Sequence, residues 1–264
     1  MKKTKIIATL GPATFTKNKI QQLIAAGVDV FRINMSHEIT LSLLADVVEW
    51  IRKEAKIINK SIAIIFDLCG PKIRVGELQN QKLIKIVKGK QYSLGYNNCD
   101  IPLNIPLTFS KKFGSGLVKI DDGSLSFEII DVTNKKLTIC SESAGTISAG
   151  KGINFPGISL KLPAITEKDV KDVKLAIKFG VDWIAMSFVR KASDAVKIKN
   201  ICKQNKINIP IIAKIEKPEA INNLQNIISA FDGILVARGD LGVETPISEL
   251  PILQKRIVNE CWPC

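Results

Sequence analysis

Lys214-Ile215-Glu216 sets a cation and a carboxylate two residues apart. On a strand, side chains at that spacing point to the same side. A cation beside a carboxylate at a strand end suits a divalent metal together with an anionic substrate. Arg238-Gly239-Asp240 offers a second such group. Gly239 permits close approach of a ligand to the backbone. Asp240 and Glu216 can give two carboxylates to one octahedral Mg²⁺ (or Mn²⁺), leaving positions for substrate oxygens and water. Taken singly, the first motif reads equally as a surface ion pair and the second as a turn. Carboxylates at two successive strand ends favour the metal.

Arg32-Ile33-Asn34-Met35-Ser36-His37 adds a guanidinium fork of the kind that grips phosphate, with Asn34 and Ser36 as oxygen donors. His37 is the single histidine and does not by itself hold a transition metal. Gly70-Pro71-Lys72-Ile73-Arg74 brings two further cations close to Asp67. In isolation it reads as a basic turn.

The elements that must position these groups alternate. Segments 5–10, 28–33 and 61–66 are short apolar runs expected as strands, and 17–26 and 41–57 carry helical spacing between them. Near-continuous apolar strands imply a parallel sheet covered by helices. From 77 to 155 no amphipathic helix of useful length is expected. Runs at 83–87, 117–120, 125–132 and 136–140 are separated by Asp121-Asp122-Gly123 and Thr133-Asn134-Lys135, so this part reads as an inserted all-β domain. Alternation then resumes. Thr166-Glu167-Lys168-Asp169 is a capping signal for a helix to about 179. Strands are expected at 181–186, 209–215 and 231–236, and helices at 193–204, 218–228 and 247–260, with Pro218 in a first turn.

The count is six β-α units. Polar groups gather at the C-terminal ends of the strands: Arg32 and Asn34, Asp67, Ser187, Lys214 and Glu216, Arg238 and Asp240. TIM barrels build their sites there. The expected fold is α/β, a TIM-type (β/α)8 barrel left incomplete. The expected parts are 1–75 and 158–264 as barrel and 76–157 as the β insertion.

Composition narrows the class. The chain of 264 residues is 46% apolar, enough for a substantial core, and holds no apolar run of membrane-span length. Net charge is +13, which could mark a nucleic-acid or membrane surface or anionic substrates, but the lysines are scattered and aromatics are 6%, so lysine spread over solvated helix faces fits better. The basic start gives way too soon to Gly11-Pro12 to be a secretory signal, and a cytoplasmic protein is expected. Cys261-Trp262-Pro263-Cys264 lacks a second pair and a following βαβ unit, so it is read as incidental.

Five ordered motifs carry a family resemblance: 4–13 (TKIIATLGPA), 32–37 (RINMSH), 67–74 (DLCGPKIR), 212–216 (IAKIE) and 236–244 (VARGDLGVE). Together with the β insertion after the third strand, they make nearly the whole chain similar to the N-terminal part of pyruvate kinases. The resemblance implies a glycolytic phosphotransferase that makes pyruvate and ATP from phosphoenolpyruvate and ADP, usually as homotetramers. Arg32 and Lys214 would be catalytic and would hold the phosphoryl group. Gly239 and Asp240 would lie near the substrate carboxylate, Glu216 and Asp240 would bind Mg²⁺ or Mn²⁺, and Arg74, Lys191, His37 and Asn34 would serve the nucleotide. No nucleic acid or membrane partner is implied.

Two departures matter. Many members hold a monovalent cation with Asn, Ser, Asp and a following Thr. Here Asn34, Ser36 and Asp67 are present, but Leu68 takes the place of the Thr. Lys72 stands where K⁺-dependent members have Glu, as in the K⁺-independent branch, so K⁺ is not expected to be required. The chain also has about half the usual family length, without the last two β-α units, the threonine after the seventh strand or the C-terminal effector domain. The expectation is a truncated chain, unstable or self-associated and of little activity. The rival readings are a Mg²⁺-dependent pyruvate or oxaloacetate aldolase or lyase on a similar barrel, and a non-catalytic remnant.

Overall fold

In chain order, the first elements of the computed structural model are β1 (Ile7–Leu10), α1 (Lys17–Ala25), β2 (Val30–Asn34), α2 (Leu41–Ile57) and β3 (Ala63–Asp67). Residues 4–78, 82–113 and 116–262 are described, so Pro263 and Cys264 of the Cys-x-x-Cys lie outside the described residues. The inserted strands are β4 (Leu83–Ile86), β5 (Gln91–Gly95), β6 (Ile101–Pro102), β7 (Leu117–Ile120), β8 (Leu125–Val132), β9 (Lys136–Ser141), β10 (Gly145–Ser148) and β11 (Ile153–Asn154). Then come α3 (Glu167–Phe179), β12 (Trp183–Met186), α4 (Val196–Gln204), β13 (Ile211–Ile215), α5 (Pro218–Asn222), α6 (Leu224–Ala230), β14 (Gly233–Val236), α7 (Arg238–Glu244) and α8 (Leu250–Cys261).

Packing divides the chain into two compact units. The first is Met1–Pro71, Pro163–Ile215 and Asn223–Leu235, and the second is Lys72–Leu162, Glu216–Asn222 and Val236–Cys264.

In the first unit, six strands form one sheet in the order β1-β2-β3-β12-β13-β14, which is also chain order. The pairs from β1 through β13 are parallel. Sequential parallel neighbours joined by helices are the half-barrel expected from the alternating pattern. Strands β3, β12 and β13 are buried along almost their whole length, as parallel strands covered on both faces must be. The end strands are less covered: Ile6 and Ile7 beside and on β1 are exposed, and all of β14 is half-buried.

The helix starts follow from local chemistry. Thr166 Oγ1 accepts from the Asp169 N–H at 3.1 Å, and Asp169 Oδ2 accepts from the Thr166 N–H at 2.7 Å, completing the capping box read in the sequence. Thr16 and Thr40 cap α1 and α2 in the simpler way. Two expected helices need correction. The helix expected over 218–228 is two helices broken at Asn223, whose side-chain amide donates to the Arg190 carbonyl at 2.9 Å. Arg238, Gly239 and Asp240 open α7, a short helix despite Gly239 and Gly242. The last helix begins at Leu250, not 247, because Pro246 and the turn after it delay it.

In the second unit, strands run β11-β7-β8-β9-β5-β6 in a six-stranded sheet, with β10 and β4 as a separate antiparallel pair. Ile86, Leu94, Val118, Ile120, Phe127, Leu137, Ile139 and Phe155 form its core. The β7–β8 turn sets Asp121, Asp122 and Gly123 all at positive φ, the last at 88°. That run explains why the turn carries Asp and Gly.

Candidate active site

The first unit gathers one carboxylate and two cations. Asp67 closes β3 and is 1% exposed. Its Oδ2 accepts from Arg32 Nε at 2.7 Å and pairs with Arg32 Nη2, a two-pronged grip from the neighbouring strand β2. Its Oδ1 lies 3.2 Å from Lys214 Nζ on β13. The same ammonium donates to Ser187 Oγ at 2.7 Å, and Ser187 donates to the Leu68 carbonyl at 2.8 Å. Arg32 Nη1 reaches Thr9 Oγ1 on β1 at 2.8 Å. So β1, β2, β3, β13 and the residue after β12 all contribute, from the middle of β2 and from at or near the C-terminal ends of the others.

The electrostatics of this group are unequal. Two full positive charges face one carboxylate, and all three groups are mostly withdrawn from water, Lys214 having a side chain only 10% exposed. A buried charge is tolerated when paired. Asp67 is shared between the two cations. A guanidinium fork and an ammonium held at one place are the donor types that suit a phosphate or carboxylate oxygen.

The loop beyond β3 is fixed by packing. Gly70 has φ 67°, and a Cβ there would come within 2.9 Å of the Phe188 ring and 3.1 Å of Ser187 Cβ. Its N–H donates to the fully buried Asp169 at 3.0 Å. Only glycine meets both conditions.

The remaining first-unit candidates are Asn34, Ser36, Leu68, His37 and Lys191. Asn34 is the register partner of Asp67, and its Oδ1 accepts from the Ser36 N–H at 3.0 Å. Leu68 is 1% exposed, with its N–H donating to the Ala185 carbonyl. His37 is exposed, its N–H donating to the Asn34 carbonyl at 3.3 Å. Lys191 is exposed, and its N–H and that of Arg190 both donate to the buried Asp194.

The second unit holds the other candidates. Glu216 follows β13 and is 1% exposed. Asp240, in the first turn of α7, has a side chain 35% exposed and lies 3.5 Å from the Lys72 ammonium. A Cβ on Gly239 would meet nothing within 4 Å, so the protein's own packing does not demand glycine there. Lys72 also passes close to Gly152, where a Cβ would lie 3.2 Å from Lys72 Cε. Arg74 is half-buried and donates through Nη1 to the Gly150 carbonyl at 2.8 Å.

The donor set of Glu216 and Asp240 is all oxygen, which fits a hard dication such as Mg²⁺ and not a soft metal. Among the described residues, no group of three or more His, Cys, Asp or Glu side chains is placed to hold a metal, so any ion here relies on two carboxylates with water or substrate. Sequence reasoning placed Ser187 at a strand end without a role, and missed Thr9. The hydroxyl at each position, on or just after a strand, was the available signal. Among the described residues, Cys69, Cys99, Cys140, Cys202 and Cys261 are in no disulfide, and no helix is long and apolar enough to cross a membrane.

Comparison with known proteins identifies the family. The family model for the pyruvate kinase barrel domain matches residues 1–263. The pyruvate kinases of Staphylococcus aureus strains MRSA252 and USA300 are each 35% identical to this chain over 268 residues, covering 99% of this chain and 46% of theirs. The chain spans about half the length of the curated relatives it matches. It belongs to the pyruvate kinase family and corresponds to that family's barrel domain.

Proposed function

We propose that this chain provides the substrate- and metal-binding machinery of a pyruvate kinase, transferring the phosphoryl group of phosphoenolpyruvate to ADP in cytoplasmic glycolysis. The observation that carries the proposal is the buried Arg32–Asp67–Lys214 group, which holds a guanidinium fork and an ammonium on one carboxylate. In this reading 1–75 and 158–264 form the barrel part and 76–157 the insertion.

Phosphoryl transfer asks a protein for positioning and charge neutralisation more than for covalent chemistry. Arg32 would grip the phosphate with its fork while Thr9 and Asp67 hold the guanidinium's direction. Lys214 would neutralise charge on the transferring group and on the enolate oxygen left behind, kept in place by Asp67 and Ser187. Glu216 and Asp240 would hold Mg²⁺, whose chemistry when bound is Lewis-acid polarisation of substrate oxygens. Gly239 would leave room for the substrate carboxylate beside the backbone. Arg74 and Lys191, with His37 and Asn34 nearby, would serve the nucleotide phosphates. Lys72 would supply the charge that K⁺ supplies in other members, removing the requirement for that ion.

A lyase on a similar barrel gains no support from the geometry or from the relatives. The test is a Mn²⁺ titration followed by electron paramagnetic resonance. Glu216→Gln and Asp240→Asn should each weaken Mn²⁺ binding strongly. Unchanged titrations in both variants would sink the metal assignment.

A further inference from the structure

Glu244 is the last residue of α7 and is 5% exposed. Two donors meet on its Oε1: Asn154 Nδ2 at 2.6 Å, and Lys217 Nζ. None of these three residues has a role in the reading above. Their positions in the chain are what matter. Lys217 directly follows Glu216. Glu244 stands four residues after Asp240 on the same helix, hence on the same face. Asn154 ends β11, which pairs with β7, and Lys119 of β7 donates to the Val243 carbonyl at 2.8 Å. One carboxylate oxygen therefore ties the segment of Glu216, the helix of Asp240 and the β sheet to each other.

The chemistry of the tie favours rigidity. Asn154 is 7% exposed and the Lys217 side chain 23% exposed, so few waters compete for these bonds. A buried oxygen with two donors of fixed origin defines one arrangement, and losing it leaves groups unsatisfied. We infer that Glu244 is a positioning residue for the divalent-metal site: through Lys217 and Asn154 it fixes the spacing of the Glu216 and Asp240 carboxylates. The inference rests on the reading of those two residues as metal ligands.

Charge and position make opposite predictions here, which gives the test its edge. Deleting the Lys217 charge removes a cation from beside a dication site, so electrostatics alone would tighten metal binding. Positioning requires that it weaken. The experiment measures Mn²⁺ affinity by electron paramagnetic resonance on the 264-residue chain without substrate, with thermal melting as a folding control. Lys217→Met and Glu244→Gln should each weaken Mn²⁺ binding roughly ten-fold, the scale seen for partners that orient ligands. Lys217→Arg, which keeps the ion pair, should restore most of it. Lys217→Met binding Mn²⁺ as tightly as the unaltered chain, or more tightly, would overturn the inference, as would variants that only lower the melting temperature. Failure of the underlying reading looks different: Asp240→Asn would leave Mn²⁺ affinity unchanged, overturning the metal assignment and this inference with it.

Discussion

Arg32 on β2 and Lys214 on β13 reach the same carboxylate, Asp67, from opposite sides of β3 in the sheet order. The arrangement binds three strands through one buried charge. Removing the carboxylate takes a shared partner from both cations, whereas removing Lys214 leaves Asp67 still paired with Arg32. Asp67→Ala should therefore cost about 3 kcal/mol of stability or more, and Lys214→Met distinctly less. Urea unfolding at neutral pH checks the order. Equal losses, or a larger loss for Lys214→Met, would contradict the pairing described here.

Gly239 gives the opposite kind of prediction. Nothing in the protein lies within 4 Å of where its Cβ would be, and alanine is the better helix former. Gly239→Ala should leave stability unchanged or raise it by up to about 1 kcal/mol. On the proposed placing of the substrate carboxylate beside Gly239, phosphoenolpyruvate binding should nevertheless weaken, because the methyl group would occupy that space. Intact binding together with raised stability would show that the glycine serves no ligand.

The monovalent-ion prediction follows from Lys72 and Leu68. Phosphoenolpyruvate affinity should be the same in buffer without Na⁺ or K⁺ and after K⁺ is added. A large rise with K⁺ would refute the substitution of ammonium for ion.

Acid should loosen the first strand. The Ile6 N–H at 2.9 Å, aided by Lys60, holds the Asp29 carboxyl below its ordinary value of 3.8. A carboxylate whose folded-state value is depressed contributes stability that is present above the unfolded value and is lost as pH falls through the folded one. Asp29 therefore contributes fully above about pH 4 and progressively less below it. Asp172 acts with the opposite sign, since burial pushes its carboxyl up despite Lys168, and its contribution is lost as pH rises. In urea midpoints measured between pH 6 and pH 3, Asp29→Asn should flatten the acid limb. An unaltered acid limb would remove Asp29 from the account.

Much of the fold was legible because it is written in local patterns. The apolar runs of β3, β12 and β13 and the Thr166–Asp169 box each sit within a few residues. What escaped reading was either short or long-range. Helix α7 contains Gly239 and Gly242, which lower helix propensity, and the packing of the fully buried Leu241 overrides them. Strands β6, β10 and β11 are too short to show a period. Residue types and spacing put forward Arg32, Lys214, Glu216 and Asp240 as candidates. They gave no sign that Asp67 would hold both cations, and none of Asn154 and Glu244, which meet across 90 positions of chain.

The central claim is that the Arg32–Asp67–Lys214 group is the subsite for the phosphoryl anion. Calorimetric titration of phosphoenolpyruvate into the Mn²⁺-saturated 264-residue chain tests it most directly. The unaltered chain should bind, and Lys214→Met and Arg32→Met should each lose about ten-fold or more in affinity, the equivalent of one charge-assisted hydrogen bond. No binding by the unaltered chain, or equal affinity in both variants, would contradict the account.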